Sequence, residues 1–597
     1  MYPYLIELAR RFPPGIERET GIGELAALFH CSARYTKTIM KQLHQQGDIR
    51  WISFQGRGKK PRLLLHKSLE EIIRLYFQVL WLKGEFQKAF QLIAEHGMFQ
   101  DGEIKRVIEE AYGLHQIVHN EKPLDVFRYP YPDTRLVLDP LYAISRHDVH
   151  FVEHIFEPLL RFDPELQQPV PNLAHAVDTG DGVTWRILLR KGVRFHDGTA
   201  VRSSDVMGTL NRAMKRDRMF TPMERVNIED DYSLTVQLKE RNYLFPRIVC
   251  SPKLSIVPLR WIEGGEDRIP PGTGPFRLAS LTDTLVKLEA FDHYFGCRPW
   301  LDQVEVIHTP NLLTFGLSTS VSNDPDEEAM IIEQVEQGAD FVLLNGNESS
   351  VFHDEAARHW LYSAIESEAF CLWEEGEFAA ASFLVHRSEQ QLPKACASLK
   401  PETCTRPKSR IPYPKPDIPW PTIRIRVQQI RPEANHMREA KVLERLLHAH
   451  GLQCSLELVS PGEIDEEAGS KYDCFVGGIA LGKDWMMSAM AMLQAKGNYF
   501  MSALPEAGRS HVRSLLRQLQ AEQSEAARVR WYEEIESYYT SQAILKFLAH
   551  RRHALYVSKH SPFYHIRMDA NGKIDYRAIV RSRDSRQKGQ PATAPLR

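Results

Sequence analysis

The stretch IGELAALFHCSARYTKTIMKQLHQQG, residues 22–47 of this 597-residue chain, predicts two short helices joined by a tight turn. Leu25 and Phe29, four residues apart, give the first helix an apolar face. Ser32 is a residue type that caps helix N termini, and Gly47 is typical of the position that follows a helix end. The pattern is that of a helix-turn-helix, a common DNA-binding unit.

The second helix of this pair has two distinct faces. Tyr35, Ile39, Met40 and Leu43 recur at helical spacing, and we expect them to face the core. A polar face lies opposite, and its side chains have the length and charge to enter the major groove of double-stranded DNA. These predicted DNA-binding residues are Arg34, Lys37, Thr38 and Lys41.

Two β-like runs, residues 49–54 and 63–66, follow the second helix and flank a glycine-containing tip. Between residues 30 and 62 the chain carries eight Lys and Arg residues against one acidic residue, Asp48. We interpret the hairpin as a wing whose cations contact phosphates or a minor groove. The alternative is a β-ribbon that packs on a neighbouring element. The cations of the wing are Arg57, Lys59, Lys60 and Arg62.

Three helical patterns without a chemical motif come next, over residues 69–82, 86–96 and 101–112. We interpret them as a connector that holds the DNA-binding unit against the rest of the chain.

The remainder carries several motifs in a fixed order. VEHIFEPLLRFDP (152–164) precedes GDGVTWRILLRKGVRFHDGTAVRSSDVMGTLNRAM (180–214), and YDCFVGG (472–478) comes much later. These motifs resemble family-five, peptide- and nickel-type, solute-binding proteins over roughly residues 124–580. The resemblance implies a two-lobed α/β fold of the periplasmic-binding-protein type (type II, cluster C). Within the motifs Gly198 predicts a turn and Asp205 a helix cap, so we give them a structural meaning and no catalytic one.

Together with ELAALFHCSARYTKTIM (24–40) and GRGKKPR (56–62), this order resembles the SgrR-type transcriptional regulators. The resemblance implies a multidomain protein in which a mostly α winged helix-turn-helix precedes a two-lobed α/β ligand-sensing domain. That family is associated with sugar metabolism and sugar-phosphate stress. The predicted boundaries are 1–66 for the winged helix, 67–123 for the connector, 124–310 for lobe one with a return at about 545–580, 311–544 for lobe two, and 581–597 for a disordered tail.

The ligand of the cleft is less well defined by these motifs. In peptide-binding relatives an aspartate shortly after the YD strand pairs with the peptide amino group, whereas here Gly482 takes that position and Asp484 lies two residues on. This difference favours a solute other than a peptide with a free amine. Arginines suit a phosphate or carboxylate, and indoles stack on sugars, although surface exposure and core packing are the alternatives. The predicted ligand-binding residues are Arg135, Arg146, Trp373, Asp484 and Trp485.

His147, His150 and His154 share one predicted helical face, which is a spacing that metal sites use. The segment fits the lobe-one helix of the family without a metal, so we predict no metal and no cofactor. The chain also lacks a nucleophile elbow, an H-E-x-x-H pair, a Walker A loop and a dinucleotide fingerprint. We therefore do not expect an enzyme.

Charge balance, cysteine usage and the lack of long apolar segments bear on the cellular location of the protein. Lys and Arg total 75 against 77 Asp and Glu, and the eight cysteines form no C-x-x-C pair, as in a protein with reduced thiols. The N terminus lacks the pattern of a secretory signal, and no window reaches the ~18 apolar residues of a membrane-spanning helix. These features predict a cytoplasmic protein with no membrane partner.

The sequence thus predicts a cytoplasmic, ligand-responsive transcription regulator with double-stranded DNA, a small solute (a sugar, sugar phosphate or peptide) and RNA polymerase as partners. Two alternatives stay open at this point. One is the solute-binding component of an ABC transporter. The other is a DNA-binding protein whose lobes serve only protein contacts.

Overall fold

The chain forms two compact units in its computed structural model. Unit one comprises Met1–Arg135, Leu278–Glu289 and Asp302–Glu327, and unit two comprises Leu136–Arg277, Ala290–Leu301 and Glu328–Arg597. The backbone therefore passes between the units five times. The structure describes residues 1–54, 60–119, 121–131, 136–143, 145–217, 220, 222–265, 269–308, 329–368, 377–387, 413–431, 434–459, 472–494, 499–558, 563–564 and 573–581.

Unit one begins with the predicted winged helix-turn-helix. The Ser32 hydroxyl accepts a hydrogen bond from the backbone N–H of Tyr35 at 3.3 Å and so caps the second helix of the motif, as predicted. Three short strands form a sheet in the order β1-β3-β2. Arg57 and Lys59 lie outside the described residues. The elements are α1 (Tyr2–Arg11), β1 (Arg18–Glu19), α2 (Ile22–Leu28), α3 (Ala33–Gln45), β2 (Ile49–Ile52) and β3 (Arg62–Leu65).

The buried face of α3 differs from the prediction at one position. Ile39, Met40 and Leu43 are buried as expected, but Tyr35 is 52% exposed and Thr36 takes the fourth core position. Thr36 Oγ1 donates a hydrogen bond to the Ser32 carbonyl at 3.0 Å. Because its polar atom is satisfied within the helix, a small threonine packs in the core without a desolvation penalty. The prediction that Tyr35 faces the core is wrong.

The cap of α3 provides a local test of this geometry. We expect Ser32→Ala to cost about 1 kcal/mol at the first turn of α3, because the Tyr35 amide loses its acceptor. The first-turn amides should then exchange roughly five-fold faster in a native-state hydrogen-exchange measurement. Ser537→Ala, at an exposed helical serine, is the matched control. Unchanged exchange in α3 would contradict the role of Ser32.

The three helices predicted after the wing are present, and they share one hydrophobic core with the winged helix. Leu8 of α1, Leu43 of α3 and Phe77 of the first connector helix belong to the same buried cluster. Ile307, much later in the chain, belongs to it as well. The elements are α4 (Leu69–Leu82), α5 (Phe86–Glu95), α6 (Gly102–Ala111), β4 (Gly113–His119) and β5 (Lys122–Tyr131). The predicted boundary at residue 123 thus falls inside β5.

The first part of unit two, residues 136–277 and 290–301, is called the first lobe below. A four-stranded sheet in the order β10-β11-β9-β8 packs its apolar face on a helix. Gly198 adopts a φ of +86° in the predicted turn, and Asp205 accepts a hydrogen bond from the Arg202 backbone N–H at 2.8 Å as a helix cap. The elements are α7 (Arg146–Ile155), β6 (Leu160–Asp163), β7 (Gln168–Pro171), β8 (Ala174–Thr179), β9 (Thr184–Leu189), α8 (Ser203–Arg216), β10 (Met223–Asp230), β11 (Ser233–Leu238), α9 (Phe245–Ile248) and α10 (Leu259–Glu263).

The chain then returns to the sheet of unit one. Strands β12 (Phe276–Leu281), β13 (Leu285–Ala290) and β14 (Gln303–His308) complete a five-stranded sheet in the order β12-β13-β14-β5-β4. β14 pairs in parallel with β5, whereas the β13–β14 and β4–β5 pairs are antiparallel.

The described residues between 329 and 558 form the second lobe. Its sheet is buried on both faces: alternate residues Phe341 and Leu343 join one apolar cluster, and Val342 and Leu344 join another. The elements are β15 (Ala329–Val335), β16 (Gly338–Leu344), α11 (Glu355–Glu368), β17 (Glu377–Ala379), β18 (Ile423–Arg431), β19 (Ala434–Asn435), α12 (Met437–Ala449), β20 (Cys454–Val459), β21 (Cys474–Ala480), α13 (Trp485–Gln494), α14 (Tyr499–Ala503), α15 (Glu506–Ala521), α16 (Glu525–Ser541), β22 (Leu545–Phe547) and β23 (Ala549–Ser558).

The strand after α16 differs from the predicted course of the chain. β22 pairs with β16 of the second lobe, so the chain does not return to the first lobe at residue 545. Residues 573–581 do contact the first lobe, since the Tyr576 backbone N–H donates to His154 Nε2 at 3.3 Å. A short pair, β24 (Phe563–Tyr564) and β25 (Val580–Arg581), ends the described chain. Among the described helices, none has the length and apolarity needed to cross a bilayer.

Candidate nucleic-acid interface and solute cleft

The polar face of α3 is open to solvent in unit one. Arg34, Lys37, Thr38 and Lys41 are all exposed, while the opposite face of the helix is buried. These side chains span two turns of the helix on one side. A helix anchored by its apolar face and presenting cations on the other has the form of a recognition helix in a major groove.

Tyr35 adds an aromatic side chain to this surface that the sequence pattern assigned to the core. Its ring stands nearly perpendicular to that of Tyr4 at 6.5 Å between centroids, so one edge is supported and the remainder is exposed. Tyr35 is in the first turn of α3, the end of a recognition helix that contacts base edges. A phenol here can donate to a phosphate or pack on a thymine methyl group.

The base of the wing holds two of the predicted cations. Lys60 Nζ lies 3.3 Å from a carboxylate oxygen of Glu24, and Arg62 Nε lies 3.6 Å from one of Glu19. The Arg62 guanidinium also lies 5.7 Å from the centre of the Phe54 ring. Exposed ion pairs of this kind contribute little to stability, typically ~0–1 kcal/mol. Phosphates can therefore replace these carboxylates at little energetic cost.

The two lobes of unit two are joined by a buried arginine. Arg247 of α9 is 4% exposed, and its guanidinium lies 4.8 Å from the centre of the Phe162 ring in the first lobe. One guanidinium nitrogen donates to Asp484 Oδ1 at 2.7 Å, and the other donates to Glu525 Oε1 at 2.7 Å. Both acceptors belong to the second lobe. We call Arg247, Asp484 and Glu525 the interlobe ion cluster.

Asp484 is the predicted ligand-binding residue that faces the first lobe. Its Oδ1 also accepts the Met487 backbone N–H at 3.1 Å, which caps α13. Its Oδ2 is buried and has no hydrogen-bond partner among the described residues. Burial raises the pKa of Asp484, and the charge of Arg247 opposes that rise. The carboxylate thus keeps one buried oxygen available to accept a hydrogen bond.

Apolar and polar contacts surround the cluster. Leu244, next to α9, belongs to the apolar core of the second lobe, while Met487 packs against the core of the first lobe. Lys483 Nζ lies 3.0 Å from Glu153 of α7. The lobes therefore make apolar contacts as well as ion pairs where they meet.

The structure describes two of the other four predicted ligand-binding residues. Arg135 and Trp373 lie outside the described residues, and Arg146 is the first residue of α7. Trp485 packs against the core of the second lobe, with its ring centre 5.0 Å from that of Tyr532. This is the core-packing alternative for Trp485, and its contact with a ligand stays a prediction.

The three histidines of α7 are buried. His154 Nε2 lies 3.3 Å from Asp575 Oδ1, and its ring centre lies 4.6 Å from that of Tyr576, with the two ring planes tilted by 43°. The groups of three potential metal ligands within the described part of the chain lie elsewhere.

Arg247 was not among the predicted site residues, although the sequence contains a signal for its burial with a partner. It stands alone in LFPRIV, an otherwise apolar run of residues 244–249. Arginines are almost never fully buried without a partner, so a lone cation in an apolar run indicates a buried ion pair. The partner at position 484 could not be read from local spacing.

Two family models match the chain. Residues 2–113 match the model described as "Sugar transport-related sRNA regulator N-term" (SgrR_N). Residues 168–314 match "Bacterial extracellular solute-binding proteins, family 5 Middle". The chain therefore carries a region that matches the SgrR N-terminal model, followed by one that matches the middle of family 5 solute-binding proteins, which confirms both resemblances and the predicted fold class.

The curated relatives include proteins named as transcription regulators. The chain is 27% identical over 357 residues to the HTH-type transcriptional regulator SgrR of Photorhabdus laumondii, covering 59% of this chain and 62% of the relative. It is 26% identical over 370 residues to the regulator of the same name in Yersinia enterocolitica, covering 60% and 64%. The chain thus spans less than two thirds of the length of these relatives.

Solved structures resemble the two-lobed part. NikA from Brucella suis, in complex with Fe(III)-EDTA, gives a TM-score of 0.61 at 15% identity, covering 76% of this chain and 100% of that one. The oligopeptide-binding protein AppA from Bacillus subtilis, with a bound nonapeptide, gives 0.58 at 16% identity, covering 77% and 100%. At these identities the likeness establishes the fold alone.

Proposed function

We propose that this chain, which joins an SgrR N-terminal domain to a family 5 solute-binding domain, is a ligand-responsive transcription regulator of the cytoplasm. Its winged helix binds double-stranded DNA at a promoter or operator. Its two lobes bind a small solute, which we propose is a sugar, a sugar phosphate or a peptide. The names of the curated relatives support the first part of this proposal.

The exposed cationic face of α3 is the observation that carries the DNA-binding role. Arg34 and Lys41 lie two helical turns apart on a face that no other described element covers with apolar contacts. Arginine and lysine are the usual partners of guanine in the major groove. In the wing, Lys60 and Arg62, with Arg57 and Lys59 of its tip, would contact phosphates and fix the orientation on the duplex.

The interlobe ion cluster supports a sensing role for the lobes. Asp484 Oδ2 is buried and unpartnered, so a hydroxyl or ammonium group of a solute would satisfy it. Arg247 would attract a phosphate or carboxylate in competition with Asp484 and Glu525. A solute that inserts between these groups would change the contacts that hold the lobes together. We propose that this change alters promoter activity, either through DNA affinity or through contact with RNA polymerase, and that the protein has no enzymatic activity.

Linkage gives the test of this proposal. We expect a solute that binds the lobes to change its affinity when cognate DNA is present, by the same factor by which it changes DNA affinity. The measurement is calorimetric titration of sugars, sugar phosphates and short peptides into the full chain, with and without a duplex selected from random sequence. Moving a closed state from about 1% to 99% needs roughly 10⁴-fold differential affinity. A solute that binds with the same affinity in both titrations would exclude coupling through DNA affinity.

A second function for the lobes rests on a specific observation. In the interlobe ion cluster, Arg247 of the first lobe already has two carboxylate partners in the second lobe. Lobes closed in this way would serve as a rigid surface for protein contacts without a ligand. That alternative predicts no thermal stabilisation by any solute pool, whereas a sensor is stabilised by its ligand.

A further inference from the structure

A cluster of three potential metal ligands is buried within the second lobe and shares no residue with the interlobe ion cluster. Asp340 is on β16, His436 directly precedes α12, and Glu439 is in the first turn of α12. One ligand atom of each residue lies within 4.8 Å of the other two, and all three residues are buried. His436 is 1% exposed. The three side chains therefore converge on one point inside the lobe.

The distances in this cluster do not fit hydrogen bonds. His436 Nδ1 lies 3.7 Å from Asp340 Oδ1 and 3.9 Å from Glu439 Oε2. A hydrogen bond between such atoms is about 2.7–3.2 Å long. Ligand atoms around a tetrahedral zinc ion, with bonds of about 2.0–2.2 Å, lie roughly 3.4 Å apart. The spacing is closer to that of ligands sharing an ion than to that of directly bonded partners.

Two of the three ligand atoms lack hydrogen-bond partners in the part of the chain that the structure describes. His436 Nδ1 and Glu439 Oε2 are buried and have no hydrogen-bond partner among the described residues. The second oxygen of each carboxylate is held in place: Asp340 Oδ2 accepts from Arg551 at 2.9 Å, and Glu439 Oε1 accepts from Arg438 at 2.7 Å. Such outer partners orient the ligands of metal sites. Buried atoms without partners call for a missing group, and an ion satisfies both at once.

A glycine keeps the space around the cluster open. A Cβ at Gly478 of β21 would lie 2.2 Å from Asp340 Oδ1 and 2.6 Å from His436 Cε1. The Gly478 backbone is fixed by its N–H, which donates to Gln428 Oε1 at 2.8 Å. Gly478 therefore leaves room beside two of the three potential ligands.

We propose that Asp340, His436 and Glu439 bind a divalent transition-metal ion of the zinc class. One imidazole nitrogen and two carboxylate oxygens are a donor set for such ions, whereas Ca²⁺ prefers six to eight oxygens. The ion would tie β16 to the start of α12 and stabilise the second lobe. Arg438 and Arg551 share the two carboxylates, so we expect weaker binding than at a site without arginines.

The test uses zinc and the full chain, prepared with a chelator that is then removed. A second group, Glu444, His448 and Cys454, is partly exposed and is itself a potential metal site, so His448→Gln is the reference protein. We expect the reference to bind one zinc ion per chain in equilibrium dialysis and to unfold at a higher temperature with zinc than without. The same chain with His436→Gln should bind at least ~100-fold more weakly and lose the thermal shift.

Glu439→Gln serves if the His436 variant does not fold. Its amide oxygen still accepts from Arg438, but it removes a charged ligand, so zinc affinity should fall at least ~10-fold. Calcium should bind neither protein at this position. The proposal is overturned if the folded reference protein binds no zinc, or if either variant binds zinc as tightly as the reference.

Discussion

DNA affinity of the full chain is expected to fall by about 250- to 1000-fold when the salt concentration rises from about 50 to 200 mM. The reason is the number of phosphates that the α3 face and the wing can neutralise, which we take as about four to six per protomer. Each neutralised phosphate contributes about −0.9 to the slope of log affinity against log salt, so the slope should be roughly −4 to −5. Fluorescence anisotropy of a labelled duplex measures this directly. A nearly flat dependence would remove the DNA-binding assignment.

Single substitutions separate the two kinds of contact within that surface. Arg34→Ala and Lys41→Ala should each cost about 1–3 kcal/mol on selected DNA and relax the base preference at one or two positions. Replacing Lys59 and Lys60 together should weaken binding to all sequences alike, because phosphate contacts carry no base information. Lys88→Ala, at an exposed lysine of α5, is the control and should leave affinity unchanged. Equal losses on selected and random DNA for Arg34 and Lys41 would contradict the recognition face.

Substitution of Arg247 by methionine is expected to destabilise the contact between the two lobes by about 3 kcal/mol or more. Methionine fills a similar volume beside Phe162 but leaves the buried Asp484 carboxylate without its cation. The penalty is relieved if the lobes separate and Asp484 becomes hydrated. We therefore expect a larger radius of gyration in X-ray scattering and a lower midpoint in urea unfolding followed by tryptophan fluorescence.

Two comparisons make the Arg247 result specific. Adding Asp484→Asn should recover much of the lost stability, because the amide still accepts the Met487 N–H and carries no charge to desolvate. Lys253→Met removes a more exposed ion pair with Asp217 inside the first lobe, so it should cost less than about 1 kcal/mol and leave the scattering unchanged. If the Arg247 variant is as compact as the parent chain, the interlobe ion cluster does not hold the lobes closed.

The N-terminal elements could be predicted closely because local signals define them. Ser32 and Gly47 enclose α3, and the three connector helices follow apolar periodicity. The same periodicity failed at Tyr35, because a tyrosine side chain carries more apolar surface than a threonine side chain and so is the expected core residue. It cannot register that Thr36 satisfies its hydroxyl on the Ser32 carbonyl and so packs inward.

The site residues were harder to predict from the sequence because they depend on contacts between distant parts of the chain. Arg247 and Asp484 are 237 positions apart, and nothing in the local sequence of either specifies the other. The single charges in apolar runs, Arg247 in LFPRIV and Asp340 in GADFVLL, were the readable signal. Such residues indicate that a partner exists, but only the fold identifies it.

The core that α1 and α3 share with α4 bears on how the proposed regulator can be divided into fragments or fused to other proteins. A fragment ending at residue 66 would leave Leu8 and Leu43 without Phe77, their neighbour in the common cluster. The proposed DNA-binding part therefore cannot be moved alone into another protein. A transferred segment must also contain α4, α5 and α6. A segment of residues 1–135 would also lack part of this cluster, because Ile307 belongs to the later strand β14. Chimaeric regulators built from this chain should keep its two units together and exchange only surface side chains.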